Sequence, residues 1–491
     1  MKYLLCFLIG GLYTLSFSPY NIGVLSIISI VSLFLLLDLD NLKDSIFKTF
    51  LFSFSYFLIG TYWLDNVISS YSDINSFLAV LIIIIFISYL SLYIVIPVII
   101  CSLLKKKITI NKNFALIILS ILIVLFEILR SFLFTGFSWN NFGQSALDTI
   151  LDDFFSVIGV HGISFIIFLI SITIINIFRI KDLKLYVPFT IIFIGFYGLI
   201  YEKNWTSIKN EKINVSIIQP NTINKLSYTN EEINLRMRQL YELSLKSFHS
   251  ETDIILWPES PIAIPYNDLK KNYYSKILGD LSAETDLVSG TFFRSGKQIY
   301  NSLINISNPI YIYHKKHLVP FGEYLPFRKY FNNFYNLIGL NVYDLSKGHL
   351  SNSININEHI AYPLICYESI FSISSLIKNP NIDFIINVSN DGWFGNSLAP
   401  YQHLDALRMR SLENQRYSIR SANNGISAVI SSKGVIVKKI DYEQEGIINS
   451  NIIPRNGYTP LSKYGYDILY IFMFVIFIIS AIYYNFRVFK R

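Results

Sequence analysis

The sequence predicts a two-part molecule: an α-helical membrane bundle of about eight spans and a soluble α/β domain of layered, sandwich type. Three observations lead there. Charged residues make up only 15% of the chain, where average soluble domains carry about 25%. The deficit lies before residue 205 and after about 465, in apolar runs near the ~20 residues that a helix needs to cross the hydrocarbon core. Between 206 and 455 the composition is that of an ordinary soluble domain, and strand-type runs alternate with helical ones.

Taken in order, candidate spans are 3–18, 22–38, 48–66, 76–103, 114–135, 155–178 and 187–202, with a last at 466–486. The opening run, Met1 to Phe17, has no small-x-small cleavage site after it, and a second apolar run begins at Ile22, so it reads as an uncleaved first span. Loop charges test the count. Lys43 and Lys48, then Lys105, Lys106, Lys107 and Lys112, then Arg179, Lys181 and Lys184 fall in alternate loops, and the tail adds Arg487, Lys490 and Arg491. The intervening loops near Pro19, at 67–75 and at 136–154 hold no Lys or Arg. That alternation predicts cytoplasmic termini, and seven preceding spans put the soluble domain on the far side of the membrane, which in a bacterium is the periplasm or cell exterior. The expected division is 1–205 (bundle), 206–455 (catalytic domain) and 456–491 (final span and tail). The net charge of +7 sits mainly in these short loops, which argues against a nucleic-acid partner. Within the fifth span, Glu127 and Arg130 share a helix face. They read either as an ion pair stitching the bundle or as groups that orient a lipid headgroup.

In the soluble part, Ile213 to Ile218 reads as a buried strand. Thr229 to Phe248 reads as a helix with Thr229 as N-cap and Glu231 and Glu232 in its first turn. Asp253 to Trp257 is a strand that ends in Pro258-Glu259. Further strands are expected at Leu287–Gly290, Tyr300–Ile306, Ile310–Tyr313, Ala361–Cys366 and Phe384–Val388. Leu404 to Arg420 reads as a basic helix, and Gly425–Ser431 with Gly434–Lys439 as a hairpin. Several strands follow one another without helices, which favours mixed pairing over a doubly wound sheet.

Glu259 and Cys366 end strong strand runs and Lys315 follows another, where active-site residues of α/β folds tend to lie. A thiol with a reference pKa of about 8.5 is only partly ionised at neutral pH. A carboxylate can take its proton and an ammonium can offset developing charge, so Glu259 is the candidate base, Lys315 the oxyanion stabiliser and Cys366 the nucleophile. Each has a plainer alternative: a solvated acid, a surface lysine beside Lys316, and a buried structural thiol. The joint pattern carries the case. Cys6 and Cys101 lie in apolar spans as small buried hydrophobes. No Cys/His spacing suggests zinc, and neither a metal nor an organic cofactor is expected.

The motifs Trp257-Pro258-Glu259-Ser260, Lys315-x-His317-Leu318-Val319-Pro320-Phe321-Gly322-Glu323, Cys366-Tyr367-Glu368 and Asn387 to Gly395 resemble those of the nitrilase superfamily. Fused to this bundle, with Glu127-x-x-Arg130, Phe134 to Phe137, Arg408-x-Arg410 and Arg420 to Gly425, the chain resembles the bacterial apolipoprotein N-acyltransferase family over nearly its whole length. The resemblance implies an α-β-β-α sandwich and a Glu259–Lys315–Cys366 triad. It also implies supporting roles for Glu323, Tyr367 and Glu368, and an aromatic contact from Tyr228, where the family usually has tryptophan. Glu323 and Glu368 are expected to hold Lys315 charged and Glu259 oriented.

The implied reaction takes an acyl chain from a membrane phospholipid to a thioester on Cys366. It then passes the chain to the N-terminal amine of a diacylglyceryl-cysteine apolipoprotein. Both partners are held in the bilayer, and a soluble enzyme would have to extract them at ~0.8 kcal/mol per CH₂. The alternative is a membrane-tethered nitrilase-type amidase acting on small amides. The aromatic run Leu325 to Leu340, with Phe331 and Phe334, reads as core or as an arm dipping into the bilayer interface.

Overall fold

The computed structural model describes residues 1–488 apart from 72–74, 109, 180–193, 210, 224, 226–227, 250, 270–271, 338, 341 and 350–351. The chain divides into two compact units. Met1–Tyr62, Val80–Lys203 and Lys463–Arg491 form one; Trp63–Ala79 and Asn204–Ser462 form the other.

The first unit is helical, with Lys2–Thr14, Val24–Leu36, Leu42–Gly60, Lys112–Arg130, Phe155–Arg179, Asp467–Val488 and most of Ser76–Ile108. Three described helices are long and apolar enough to cross a membrane by length and composition: Ser76–Ile108, Lys112–Arg130 and Asp152–Phe178. Lys2–Thr14, Val24–Leu36 and Asp467–Tyr483 are shorter apolar helices. The expected span at 187–202 lies largely outside the described residues. Asn41 and Asn111 start two of the helices by accepting the backbone N–H of Asp44 and Phe114. Gly10 lets Lys2–Thr14 meet Leu42–Gly60 backbone to backbone, since a Cβ there would fall 2.0 Å from the Phe52 carbonyl oxygen. Glu127 accepts from the Phe142 N–H at 2.8 Å and the Ser164 hydroxyl at 2.8 Å, and lies 2.7 Å from His161 Nδ1. Arg130 donates to Asn141 Oδ1 at 2.7 Å and to the Asn140 carbonyl at 3.2 Å. Both ionisable groups therefore tie their helix to the loop at 138–142.

The second unit is a four-layer sandwich built on two six-stranded sheets. The strands of the first are β2 Ile213–Gln219, β3 Ile254–Trp257, β4 Asp286–Ser295, β5 Gln298–Asn305, β6 Ile312–His314 and β13 Gly446–Ile452. Those of the second are β7 Ile354–Ile356, β8 His359–Ile365, β9 Phe384–Ser389, β10 Ser418–Ala422, β11 Ser427–Ile430 and β12 Ile436–Ile440. The first sheet runs β13-β2-β3-β4-β5-β6, the second β12-β11-β10-β9-β8-β7. A short ladder of Ser207–Ile208 (β1) with Arg455–Asn456 (β14) closes the unit.

Strand periodicity builds the layers. Ile213, Val215 and Ile217 of β2 join Ile254 and Leu256 in one apolar core with Ile365, Ile386, Val388 and Ile419 of the facing sheet. The opposite faces carry Ile218, Ile255 and Trp257, which pack on Met237, Leu240 and Leu243 of helix Asn230–Ser247. Leu364, Ile385 and Ala428 likewise pack on Leu404 and Leu407 of helix Ala399–Asn414. Thr229 and Glu232 form a reciprocal capping box at the start of Asn230–Ser247, as its sequence predicts. The expected basic helix is corrected. It ends at Asn414, where Gln415 turns left-handed at φ 45°, and Arg420 lies on β10. Its charges are internal: Arg408 pairs with Asp405 at 3.0 Å and Arg410 with Glu413 at 2.7 Å, all buried.

Trp63–Ala79 packs within this unit. The Trp63 and Phe394 rings lie 5.0 Å apart, and Asn66 Nδ2 donates to the Phe394 carbonyl at 2.9 Å.

Candidate active site

Parallel pairing places two strand ends for chemistry. β3 runs parallel to β2 and β4, and β8 runs parallel to β9, so Glu259 and Cys366 each follow the carboxyl end of a strand with parallel neighbours, where α/β folds gather their reactive groups.

Glu259 is held by the turn after Trp257. The Gly290 N–H donates to the Pro258 carbonyl at 3.1 Å, and a Cβ on Gly290 would sit 2.6 Å from Glu259 Cα. Only glycine fits there. Gly290→Ala is expected to destabilise the fold by ~1–3 kcal/mol through overpacking against the turn that carries Glu259, and denaturant unfolding measures the effect.

Lys315 follows β6 and is 1% exposed. Its N–H donates to the Asn301 carbonyl, and its carbonyl accepts from the Gly348 N–H, both at 2.8 Å. Its ammonium lies 2.9 Å from Glu323 Oε1 and 3.6 Å from Glu259 Oε1. Burial works against this charge, but Glu323 and Glu259 outweigh it and hold the ammonium above its usual range. Asn301 Nδ2 donates to both carboxylates, at 2.7 Å to Glu259 and 2.8 Å to Glu323. Glu323 also accepts the Val319 N–H at 2.7 Å, closing its own loop.

Cys366 opens a 3₁₀ turn, Cys366–Ile370, with φ at 49°. Such a left-handed conformation costs a residue other than glycine about 1–3 kcal/mol. Burial and the Glu259 charge push its thiol well above the usual range, while Lys315 pulls it down.

The other anticipated residues divide. Glu323 reaches Lys315 directly. Glu368 instead gathers the Ile365 N–H at 2.8 Å, the Lys316 N–H at 2.7 Å, the His317 N–H at 3.1 Å and the Tyr313 hydroxyl at 2.9 Å. It thus fastens the backbone after Lys315 to the turn that carries Cys366. Burial still keeps its carboxyl above the ordinary range. Tyr367 packs edge-on to Phe371 at 5.0 Å and to His317 at 5.7 Å. Tyr228 lies under the Arg236 guanidinium at 4.0 Å, and its hydroxyl accepts the Lys225 N–H. These contacts are to helix Asn230–Ser247 and to the segment before it, and neither is to the triad.

Sequence reasoning missed Asn301 and a buried set at the nucleophile: His403, Asp391 and Arg420, each 0% exposed. Arg420 Nη2 donates to Asp391 Oδ2 at 2.6 Å, and Ser389 Oγ to Asp391 Oδ1 at 2.6 Å. Although burial raises it, Arg420 and His403 hold the Asp391 carboxyl well below its usual range. Gly425 makes room for this carboxylate, since a Cβ there would fall 2.3 Å from Asp391 Oδ2. Cys366, Asp391 and His403 offer ligand-type atoms within 4.8 Å of one another, but the cation that Asp391 neutralises is Arg420.

Comparison with known proteins agrees with both units. Residues 9–173 match the apolipoprotein N-acyltransferase N-terminal domain, and residues 214–454 match the carbon-nitrogen hydrolase domain. The chain is 35% identical to the apolipoprotein N-acyltransferase of Wigglesworthia glossinidia brevipalpis, over 96% of each chain. It is 30% identical to that of Coxiella burnetii, over 97% of this chain and 100% of the relative. The Haemophilus ducreyi protein is 29% identical over 96% and 95%. Domain order, length and identity together make this chain a member of the apolipoprotein N-acyltransferase family.

Proposed function

We propose that the chain acylates lipoproteins through a thioester on Cys366, with a membrane phospholipid as acyl donor and the N-terminal amine of diacylglyceryl-cysteine as acceptor. The chain is an acyltransferase of lipoprotein biosynthesis and a bacterial membrane protein, as its family membership requires. The observation that supports the assignment of roles is the buried Lys315 ammonium held between Glu259 and Glu323, close enough to Cys366 for the two groups to interact electrostatically.

Glu259 takes the thiol proton as sulfur attacks the ester carbonyl carbon. Lys315 offsets the oxyanion charge in a site from which water is largely excluded. The tetrahedral adduct collapses, the glycerol oxygen leaves with the proton from Glu259, and a lysophospholipid departs. Glu259 then deprotonates the incoming ammonium, since only a neutral amine is nucleophilic. Glu259 passes that proton on to water. Attack of the amine on the thioester forms the amide, and the proton the nitrogen then loses goes by way of Glu259 to the departing thiolate, which returns to the thiol. Asn301 serves both carboxylates by fixing their spacing around Lys315.

The membrane organisation follows the loop charges: eight spans, both termini cytoplasmic, and a periplasmic catalytic domain over 206–455 between a bundle at 1–205 and a final span in 456–491. The competing amidase reading shares the triad, but the match over 9–173 is to an acyltransferase domain that a small-amide hydrolase does not need.

Incubating the purified protein with phospholipid is expected to add one acyl chain to Cys366, seen by peptide mass spectrometry. A diacylglyceryl-cysteine peptide should then discharge it as the N-acyl product. An acyl chain on another residue, or a loaded Cys366 that water clears faster than the peptide does, would favour a different assignment.

A further inference from the structure

The loop after β9 and helix Ala399–Asn414 meet at Cys366 through one side chain. His403 is completely buried, and its Nε2 lies 3.0 Å from the Cys366 carbonyl oxygen. A carbonyl oxygen only accepts, so Nε2 carries the proton of that bond. The other ring nitrogen, Nδ1, is fixed between Asp391 Oδ1 at 2.9 Å and Arg420 Nη2 at 3.1 Å. Asp391 is itself pinned by Arg420 and Ser389, and Arg420 also donates to Asn387 on β9. The ring edge faces Phe394, with centroids 6.1 Å apart. Both ring nitrogens are thus engaged.

Cys366 has a conformation that needs such support. A left-handed backbone persists at a residue other than glycine only where its surroundings over-determine it. The carbonyl that His403 holds belongs to that same residue, and the Ser369 hydroxyl shares the oxygen at 3.1 Å. We propose that His403 is a positioning residue for the nucleophile: its Nε2–H clamps the Cys366 carbonyl and keeps the residue left-handed, which fixes where the thiol stands, while Asp391 and Arg420 lock the ring. The inference rests on Cys366 being the nucleophile.

The test uses full-length protein in detergent and three variants. His403→Gln keeps an N–H donor at about the reach of Nε2, His403→Asn is polar but one methylene short, and His403→Leu removes the donor. Unfolding midpoints report folding. Acylation of Cys366 by phospholipid gives kcat and KM, and the pH profile of iodoacetamide alkylation reports the thiol without any acyl chemistry. Displacement by about 1 Å costs on the order of 10²-fold, so H403L and H403N should lose about that factor in kcat at unchanged KM. Their alkylation profiles should move to higher pH, and H403Q should recover at least tenfold. A folded H403L with parental kcat overturns the proposal, as does a loss carried by KM or an unshifted alkylation profile. If H403L does not fold, H403Q against H403N decides: a tenfold or larger gap in kcat supports the clamp, and equal rates refute it. If the parent protein takes no acyl chain from phospholipid, the acyl-transfer reading fails separately, and the alkylation profiles alone still judge His403.

Discussion

Cys366→Ser is expected to leave a folded protein that carries no acyl adduct and completes no lipoprotein. The exchange is nearly isosteric, so the 3₁₀ turn and the bond from His403 should persist and the unfolding midpoint should hardly move. Chemistry should fall by on the order of 10⁴-fold or more, as when other covalent enzymes lose their nucleophile. The reason is acidity. Glu259 faces a thiol whose pKa is already pushed up by burial; a hydroxyl is a much weaker acid still, and a carboxylate cannot ionise it at a useful rate. Parental turnover by the serine variant would remove sulfur from the mechanism.

Lys315→Met is expected to damage stability as well as rate. The ammonium neutralises two buried carboxylates, Glu259 at 3.6 Å and Glu323 at 2.9 Å. Removing one partner of a buried ionic set costs about 3–5 kcal/mol, because the remaining charge stays desolvated and unpaired. Acyl transfer should drop by about 10²–10³-fold with the loss of the oxyanion partner. The pH dependence carries a definite sign. Burial opposes the Lys315 charge, but Glu323 and Glu259 hold the ammonium above its usual range, so the stability it contributes is fully present below the unfolded lysine pKa of about 10.4 and is lost only as pH rises beyond it. The variant's deficit should therefore be the same at about pH 7 and about pH 9. Denaturant unfolding at the two pH values measures this, and a deficit that shrinks over that interval would show that Lys315 does not carry the neutralising charge.

Glu259, Lys315 and Cys366, the proposed catalytic set, stand out in the sequence because each ends or follows an apolar run, and strand ends are visible in a sequence. Asn301 was not: it sits within the alternating run Tyr300–Ile306, where a polar residue normally marks a solvent-facing position, but here it points between two acids. Arg420 was hidden by the same ambiguity. The arginines after Leu404 read as one basic helix reaching Arg420, whereas the helix ends at Asn414, is buried, and satisfies its cations internally. His403 carried no signal, since one histidine on a helix has no spacing to read. In the aromatic segment, Phe331 is exposed on helix Arg328–Leu337, and the side chain of Phe334 lies outside the described residues. The sandwich itself was readable from consecutive strands, and its layers from period-two alternation.

Trp63 and Asn66 brace Phe394 from more than 300 positions upstream, so the catalytic module is written in two separated passages of the gene. A cassette cut at 204–462 would leave these contacts behind, and a chimera that borrows this sandwich keeps them only by importing Trp63 and Asn66 with it.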